Sequence, residues 1–551
     1  MNRRDFLRFM IGGAAGWALG AGALKARPGA YQIASNWDGR GGIPGPREVA
    51  DLTGIASGFR VIKILKHADT NVAIATNGTT TRVYRKETTW VSKVDQLDGG
   101  GSSEDAITGV ATDAISFKNV LAIALGGSAA YVYTSATTAT GRTWDFTTST
   151  KTAGNAERAN YFLEQSNGLL TPRVMYCVNP NESYYTEDLT NTDGAGVNPS
   201  YIGDSASTQN YFTSIAEEPG TGRVLFGMRH ALYTLHQEPG YDGIWERLTE
   251  NFPDAISDAG GQSDRLNFEN PALVGGTLYY PVQGYDILAW RPGGAYDRFM
   301  SPRWTNDCKL PRMDLPINAL VSAGGYLIAF LGSKNTASLK DVTYFPGGSA
   351  HLAATFTTAS EMWVGVPTSG QMVWHGVLLE CTNPLRYAFY DEDDSYITLC
   401  SGDSESADLQ TTRCLFTVDN PLNRLTSSAV VLNAGTWQVE PGAIDFDDDW
   451  MHKRAEHLRV QALGLNSSAP SIEVEYKATP DYDTTAFSSE FAIFTDEETA
   501  MLGAEFPDET LFRKLHLRFR GVGTGNTYAV LQAAEVRATW ASEMDQAARR
   551  R

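Results

Sequence analysis

Val72-Ala73-Ile74-Ala75 runs through a turn to Tyr84. The same phrase returns along the chain: a short apolar strand, a turn, and a second strand ending on an aromatic. It recurs as Val120-Leu121-Ala122-Ile123 leading to Tyr133 and as Val174-Met175-Tyr176-Cys177 leading to Tyr185. Val224-Leu225-Phe226 then leads to Tyr233, Leu278-Tyr279-Tyr280 to Trp290, and Leu327-Ile328-Ala329-Phe330 to Tyr344. Met362-Trp363-Val364 with Trp374 forms a less regular seventh unit. The first six starts lie 48, 54, 50, 54 and 49 residues apart. A steady period near 50 residues with paired strands is the pattern of β-propeller blades, which bury their faces only against neighbours around a common axis. A β-solenoid is the structural rival, with shorter repeats.

Outward from the repeats, the texture changes near residue 425. Glu456 to Leu463, Ser471 to Tyr476 and Leu515 to Arg520 alternate apolar and polar residues. Period two means one buried and one wet face, as in an antiparallel sandwich. The expected fold is therefore all-β: a six- or seven-bladed β-propeller over 27–424, then an antiparallel β-sandwich over 425–541. A segment at 1–26 precedes them and a polar tail at 542–551 follows. Gly521-Val522-Gly523-Thr524-Gly525-Asn526 reads as a hairpin turn, since it lacks the full glycine spacing of a phosphate loop and leads into no helix.

The chain of 551 residues carries a formal net charge of −19. Such a surface repels nucleic-acid backbones and anionic lipid, so neither is an expected partner. Hydrophobic residues make up 42% of the sequence, ordinary for a globular protein, and no stretch beyond the N-terminus is apolar enough to span a membrane. Cys177, Cys308, Cys381, Cys400 and Cys414 are odd in number and contain no CxxC, which argues against a zinc site or a disulfide framework. A single bridge among Cys381, Cys400 and Cys414 stays open; buried free thiols are the plainer reading.

Asn2-Arg3-Arg4-Asp5-Phe6-Leu7-Arg8 resembles a twin-arginine export signal, with Arg3, Arg4, Phe6 and Leu7 as its motif. A Gly/Ala-rich stretch runs from Phe9 to Leu24, and Ala21-Gly22-Ala23 suits cleavage after Ala23. The alternative is an uncleaved apolar helix that docks on a partner.

No nucleophile elbow, Walker loop or HExxH occurs. His452 and His457 are one residue too far apart for HxxEH and lead into a strand. Gly141-Arg142-Thr143-Trp144 matches the end of a sialidase Asp box, but Ala139 stands where the Asp belongs. Asp391-Glu392-Asp393-Asp394 and Asp445 with Asp447-Asp448-Asp449 are acidic loops; Ca2+ is the one ion they would suit, without EF-hand spacing, and solvated turns are the competing reading. No other cofactor is expected. Trp90, Trp144, Trp245, Trp304 and Trp363 are candidates for stacking on sugar rings, set against the usual role of blade aromatics as core.

Further stretches carry a family likeness: Tyr201-Ile202-Gly203-Asp204-Ser205-Ala206-Ser207, the line from Gly227 to Leu235, Gly275 to Val282, Gly324-Gly325-Tyr326-Leu327, and Gly442-Ala443-Ile444-Asp445-Phe446. Over residues 60 to 540 the chain resembles the large β-propeller virion proteins of tailed bacteriophages. That resemblance implies a non-catalytic structural protein of the virion tail, self-associating and joined to other tail subunits or facing a host-surface glycan or protein. It supplies no functional residue. A signal peptide would instead imply a periplasmic or extracellular propeller that binds a glycan or protein, or, less in keeping with the missing motifs, an exported hydrolase.

Overall fold

The computed structural model describes residues 31–35, 37–38, 43–44, 49–50 and most of 54–540; outside that description lie 1–30, chiefly 96–106, 149–160, 191–211, 253–266, 302–316, 333–359, 402–409, 416–436 and 445–451 between strands, and 541–551. All regular structure among the described residues is β.

Seven antiparallel sheets follow one another in chain order among the described residues. The first contains Arg60–His67, Thr70–Thr76 and Thr80–Lys86, and the second Val110–Phe117, Val120–Gly126 and Tyr131–Thr134. The third is Phe162–Gln165, Arg173–Val178 and Glu182–Thr186. The fourth runs Phe212–Glu217, Val224–Met228, Leu232–His236, Ile244–Arg247, and the fifth Ala272–Val274, Thr277–Val282, Asp286–Arg291, Ala295–Asp297. The sixth is Ile317–Ala323, Tyr326–Gly332, Ser360–Thr368, Gln371–Cys381. In the seventh, Leu385–Asp391, Tyr396–Ser401 and Gln410–Leu415 take their fourth strand, Val49–Ala50, from the other end of the chain. The first strand of the seventh sheet packs on the first strand of the first, so the succession closes into a ring. This is the β-propeller.

The sixth and seventh units differ from the sequence expectation. Met362-Trp363-Val364 and Trp374 belong to the third and fourth strands of the sixth sheet, not to a blade of their own. Residues 333–359 separate the second and third strands of that sheet, which breaks the period, and Tyr344 lies among them, outside the described residues. The true seventh sheet begins at Leu385.

The repeat pattern arises because each second strand is buried on both sides. Val72, Ala73, Ile74 and Ala75 are fully buried, as are Leu121 to Ala124. Alternate residues go to opposite neighbours: Val72 and Ile74 join the cluster toward the second sheet, Ala73 and Ala75 the cluster toward the seventh. Tight turns link first and second strands. Ala68-Asp69 and Lys118-Asn119 have both φ values positive (48° and 63°, 49° and 62°), the geometry of a two-residue hairpin that matches strand twist.

The C-terminal unit is an antiparallel sandwich. One sheet has the order Tyr31–Ser35, Trp437–Pro441, Lys514–Val522, Ser471–Thr479, Ala492–Phe494. In the other, Lys453–Leu463 lies between Val530–Trp540 on one side and Leu502–Glu505 with Leu511–Phe512 on the other. Leu458, Val460, Ile472, Val474, Leu515, Leu517 and Phe519 point into a common core, as the alternation requires. Tyr31–Ser35 lies within 27–424, which the sequence assigns to the propeller, yet it pairs in this sheet.

Candidate functional site

The inner strands share a local device. A β-bulge falls within the first four residues of five of them among the described residues, between Val61/Lys63, Ala111/Asp113, Phe212/Ser214, Ile317/Ala319 and Leu385/Tyr387. A bulge re-aims the side chain that follows it. In three sheets that side chain reaches a neighbouring blade. Lys63 Nζ lies 2.9 Å from Asp113 Oδ1, and Asp113 Oδ2 accepts the Phe162 N–H at 2.9 Å. The Tyr387 hydroxyl donates to the Ile64 carbonyl at 3.2 Å. One polar line thus runs from the seventh sheet through the first and second to the third.

The electrostatics fix the charge states along this line. Burial opposes the Lys63 charge, but the Asp113 carboxylate outweighs it and holds the ammonium above the ordinary lysine range. The Lys63 side chain keeps 34% exposure and Asp113 only 8%, so the pair sits at the margin of the interior. Burial, with Asp113 adding to it, pushes the Cys177 thiol well above its usual value. The ammonium stays charged and the thiol stays neutral, so neither is a ready base or nucleophile near neutral pH.

The other blade junctions carry similar ties. The His67 imidazole contacts Ser116 Oγ at 2.8 Å and the Ala136 carbonyl at 3.0 Å. A carbonyl only accepts, so Nε2 carries the proton. Burial holds His67 below the ordinary histidine range, and Arg85 adds to this. Between the fourth and fifth sheets, Glu218 Oε1 accepts from Trp290 Nε1 at 2.8 Å and from Arg223 Nη2 at 2.9 Å; Oε2 takes Arg223 Nε and the Thr221 hydroxyl. Burial works against ionisation of Glu218, but the hydrogen bonds from Arg223, Thr221 and Trp290 outweigh it and hold its carboxyl low.

The residues singled out from sequence are distributed as follows. Asp391 accepts from Asn71 Nδ2 and from the Asp393 N–H, while Asp393 pairs with Lys66. This acidic turn therefore ties the seventh sheet to the first. Among the described residues no group of three or more His, Cys, Asp and Glu is arranged to hold a metal. Trp90, Trp144 and Trp363 are buried at 3%, 1% and 4% exposure, so these three are core rather than stacking platforms, while Trp245 is half-buried and packs edge-on to Phe226. Cys177 and Cys400 are buried thiols outside any disulfide, which removes Cys400 from a bridge. His457 stands in a strand, 3.9 Å from Glu505, with His452 just before it. Arg3, Arg4, Phe6, Leu7, Ala23, Trp304, Asp394, Asp445, Asp447, Asp448, Asp449 and the tail lie outside the described residues, as do the side chains of Cys308, Cys381 and Cys414. Sequence reasoning missed Lys63 and Asp113, though a signal existed. They occupy the same position one repeat apart, with opposite charge.

No protein-family model matches the chain, and no curated protein does. Solved structures are similar at low identity. A streptogramin B lyase structure is 10% identical with a TM-score of 0.39, over 67% of this chain and 96% of that one. BBS1N in complex with ARL6DN is 11% identical with a TM-score of 0.38, over 70% and 99%. The computationally designed Ika8 protein is 10% identical with a TM-score of 0.36, over 75% and 100%.

Proposed function

We propose that this chain is a non-catalytic binding and structural protein, a tail component of a phage virion engaged in tail assembly or host-surface attachment. The observation that carries the structural part is the use made of its buried charge. Asp113, Glu218 and Asp391 each serve a contact between neighbouring blades. A ring stiffened this way suits a subunit that must keep its shape while its loops present a surface. The tail role rests on the resemblance of residues 60 to 540 to virion propellers. The partners are then other tail subunits, further copies of the chain, and a glycan or protein on the host surface.

The twin-arginine pattern around Arg3 and Arg4 favours a second reading, an exported propeller that binds a glycan or protein. N-terminal mass spectrometry of the native protein, recovered separately from sedimenting particles and from the periplasm, separates the two. The tail reading expects an uncleaved start at Met1 in particles. A start near Leu24 in the periplasm would overturn it.

A further inference from the structure

We propose that the strands Tyr31–Ser35, Trp37–Asp38, Ile43–Pro44 and Val49–Ala50 form a strap that couples closure of the propeller ring to completion of the C-terminal sandwich. The segment pairs at both ends. Tyr31–Ser35 lies along Trp437–Pro441, with Ser35 opposite Gln438 and Tyr31 opposite Pro441. Val49 and Ala50 stand opposite Arg413 and Thr412 as the fourth strand of the seventh sheet. Between them Trp37–Asp38 and Ile43–Pro44 pair as a small hairpin. The first half of the segment also runs beside Gln371–Cys381 of the sixth sheet, and Ile43–Pro44 lies beside Val530–Trp540 of the sandwich.

The connection between the two halves is short. From Pro44 to Val49 the chain spans at most about 18 Å even when fully extended. The hairpin is held against the sandwich at one end of that span and the ring strand against the seventh sheet at the other. Release of either end therefore removes the restraint that positions the other. The strap's partners at 410–415 and 437–441 also lie several hundred residues after it in the chain. Both contacts close very long loops and belong late in folding. The ring and the sandwich thus become complete together.

Native-state hydrogen exchange followed by mass spectrometry on the full chain tests this, with graded urea and no mutation. Peptides covering 31–35, 410–415 and 437–441 are expected to open with one shared urea dependence. Separate dependences for 410–415 and 437–441 would overturn the coupling. A second arm uses Ile33→Pro, which restricts the sandwich-side strand, with Ile33→Gly as the milder change that keeps the N–H. The expected result is faster exchange at 410–415, by about tenfold for the proline variant, although Ile33 lies in the other sheet. Wild-type exchange at 410–415 alongside deprotection of 437–441 would refute it.

Discussion

Asp113→Ala is the perturbation that bears most directly on how the ring is held. The carboxylate serves three sheets at once: it sits on the second, pairs with Lys63 of the first, and takes the Phe162 N–H of the third. Removing it orphans the buried Phe162 amide and leaves the Lys63 ammonium without its carboxylate. Breaking a fully buried ion pair costs about 3–5 kcal/mol, and exposed pairs contribute about 1 kcal/mol or less. With Lys63 one-third exposed the ionic part is discounted, so the expected loss is about 2–3 kcal/mol in all. Asp113→Asn keeps an acceptor for the Phe162 N–H and should cost about half as much. Urea unfolding of wild type, Asp113→Asn, Lys63→Met and the double variant closes a thermodynamic cycle. A coupling of about 1 kcal/mol between the two positions is expected. The Lys63 contribution is present below the ordinary lysine value and lost only as pH rises through a still higher one, so the coupling should be flat from pH 6 to 9. Zero coupling, or an Asp113→Ala protein as stable as wild type, would refute the idea that the bulged inner strands hold the ring through this line.

Gly521→Ala should destabilise the sandwich by about 3 kcal/mol or more, measured as a shift in urea midpoint, because an added Cβ would lie 1.9 Å from Trp437 Nε1 and that indole is buried. His67 is held below its unfolded value, so the unfolded chain binds the proton first as pH falls from the ordinary histidine range; unfolding free energy should therefore drop below about pH 6.5, and His67→Asn should remove that component of the pH profile. Glu218→Ala strands Arg223 and Trp290 Nε1 and should cost about 3 kcal/mol by thermal or urea unfolding. Because the Glu218 carboxyl is held low, its contribution is present above the ordinary carboxylate range and is lost as pH falls through the lowered value, so Glu218→Gln should flatten the acid limb of the wild-type stability curve.

The architecture was legible where burial imposes a pattern. Second strands such as Val72 to Ala75 are apolar on both faces and announce the blade, and Leu515 to Arg520 alternates because one side of the sandwich is wet. Legibility failed where order along the chain and order in space part company. Nothing near Val49 or Tyr31 marks them as strands for partners several hundred residues away. The interruption at 333–359 shifted the final period and hid the blade at Leu385. The polar ties failed for a different reason: a charge such as Asp113 on a strand reads as a wet face until a bulge turns it toward its neighbour. The aromatics Trp90, Trp144 and Trp363 show the reverse, since only packing distinguishes a core indole from a platform.

The sixth sheet has a practical consequence for anyone wishing to add to this molecule. Its second and third strands keep full register right up to the interruption, with Leu331 opposite Glu361 and Gly332 opposite Ser360. The ladder is regular on both sides of residues 333–359, and the closure entropy of a loop grows only slowly with its length. An epitope, a fluorophore acceptor or a small folded module spliced between Gly332 and Ser360 should ride on the ring as cargo, leaving the scaffold beneath it intact.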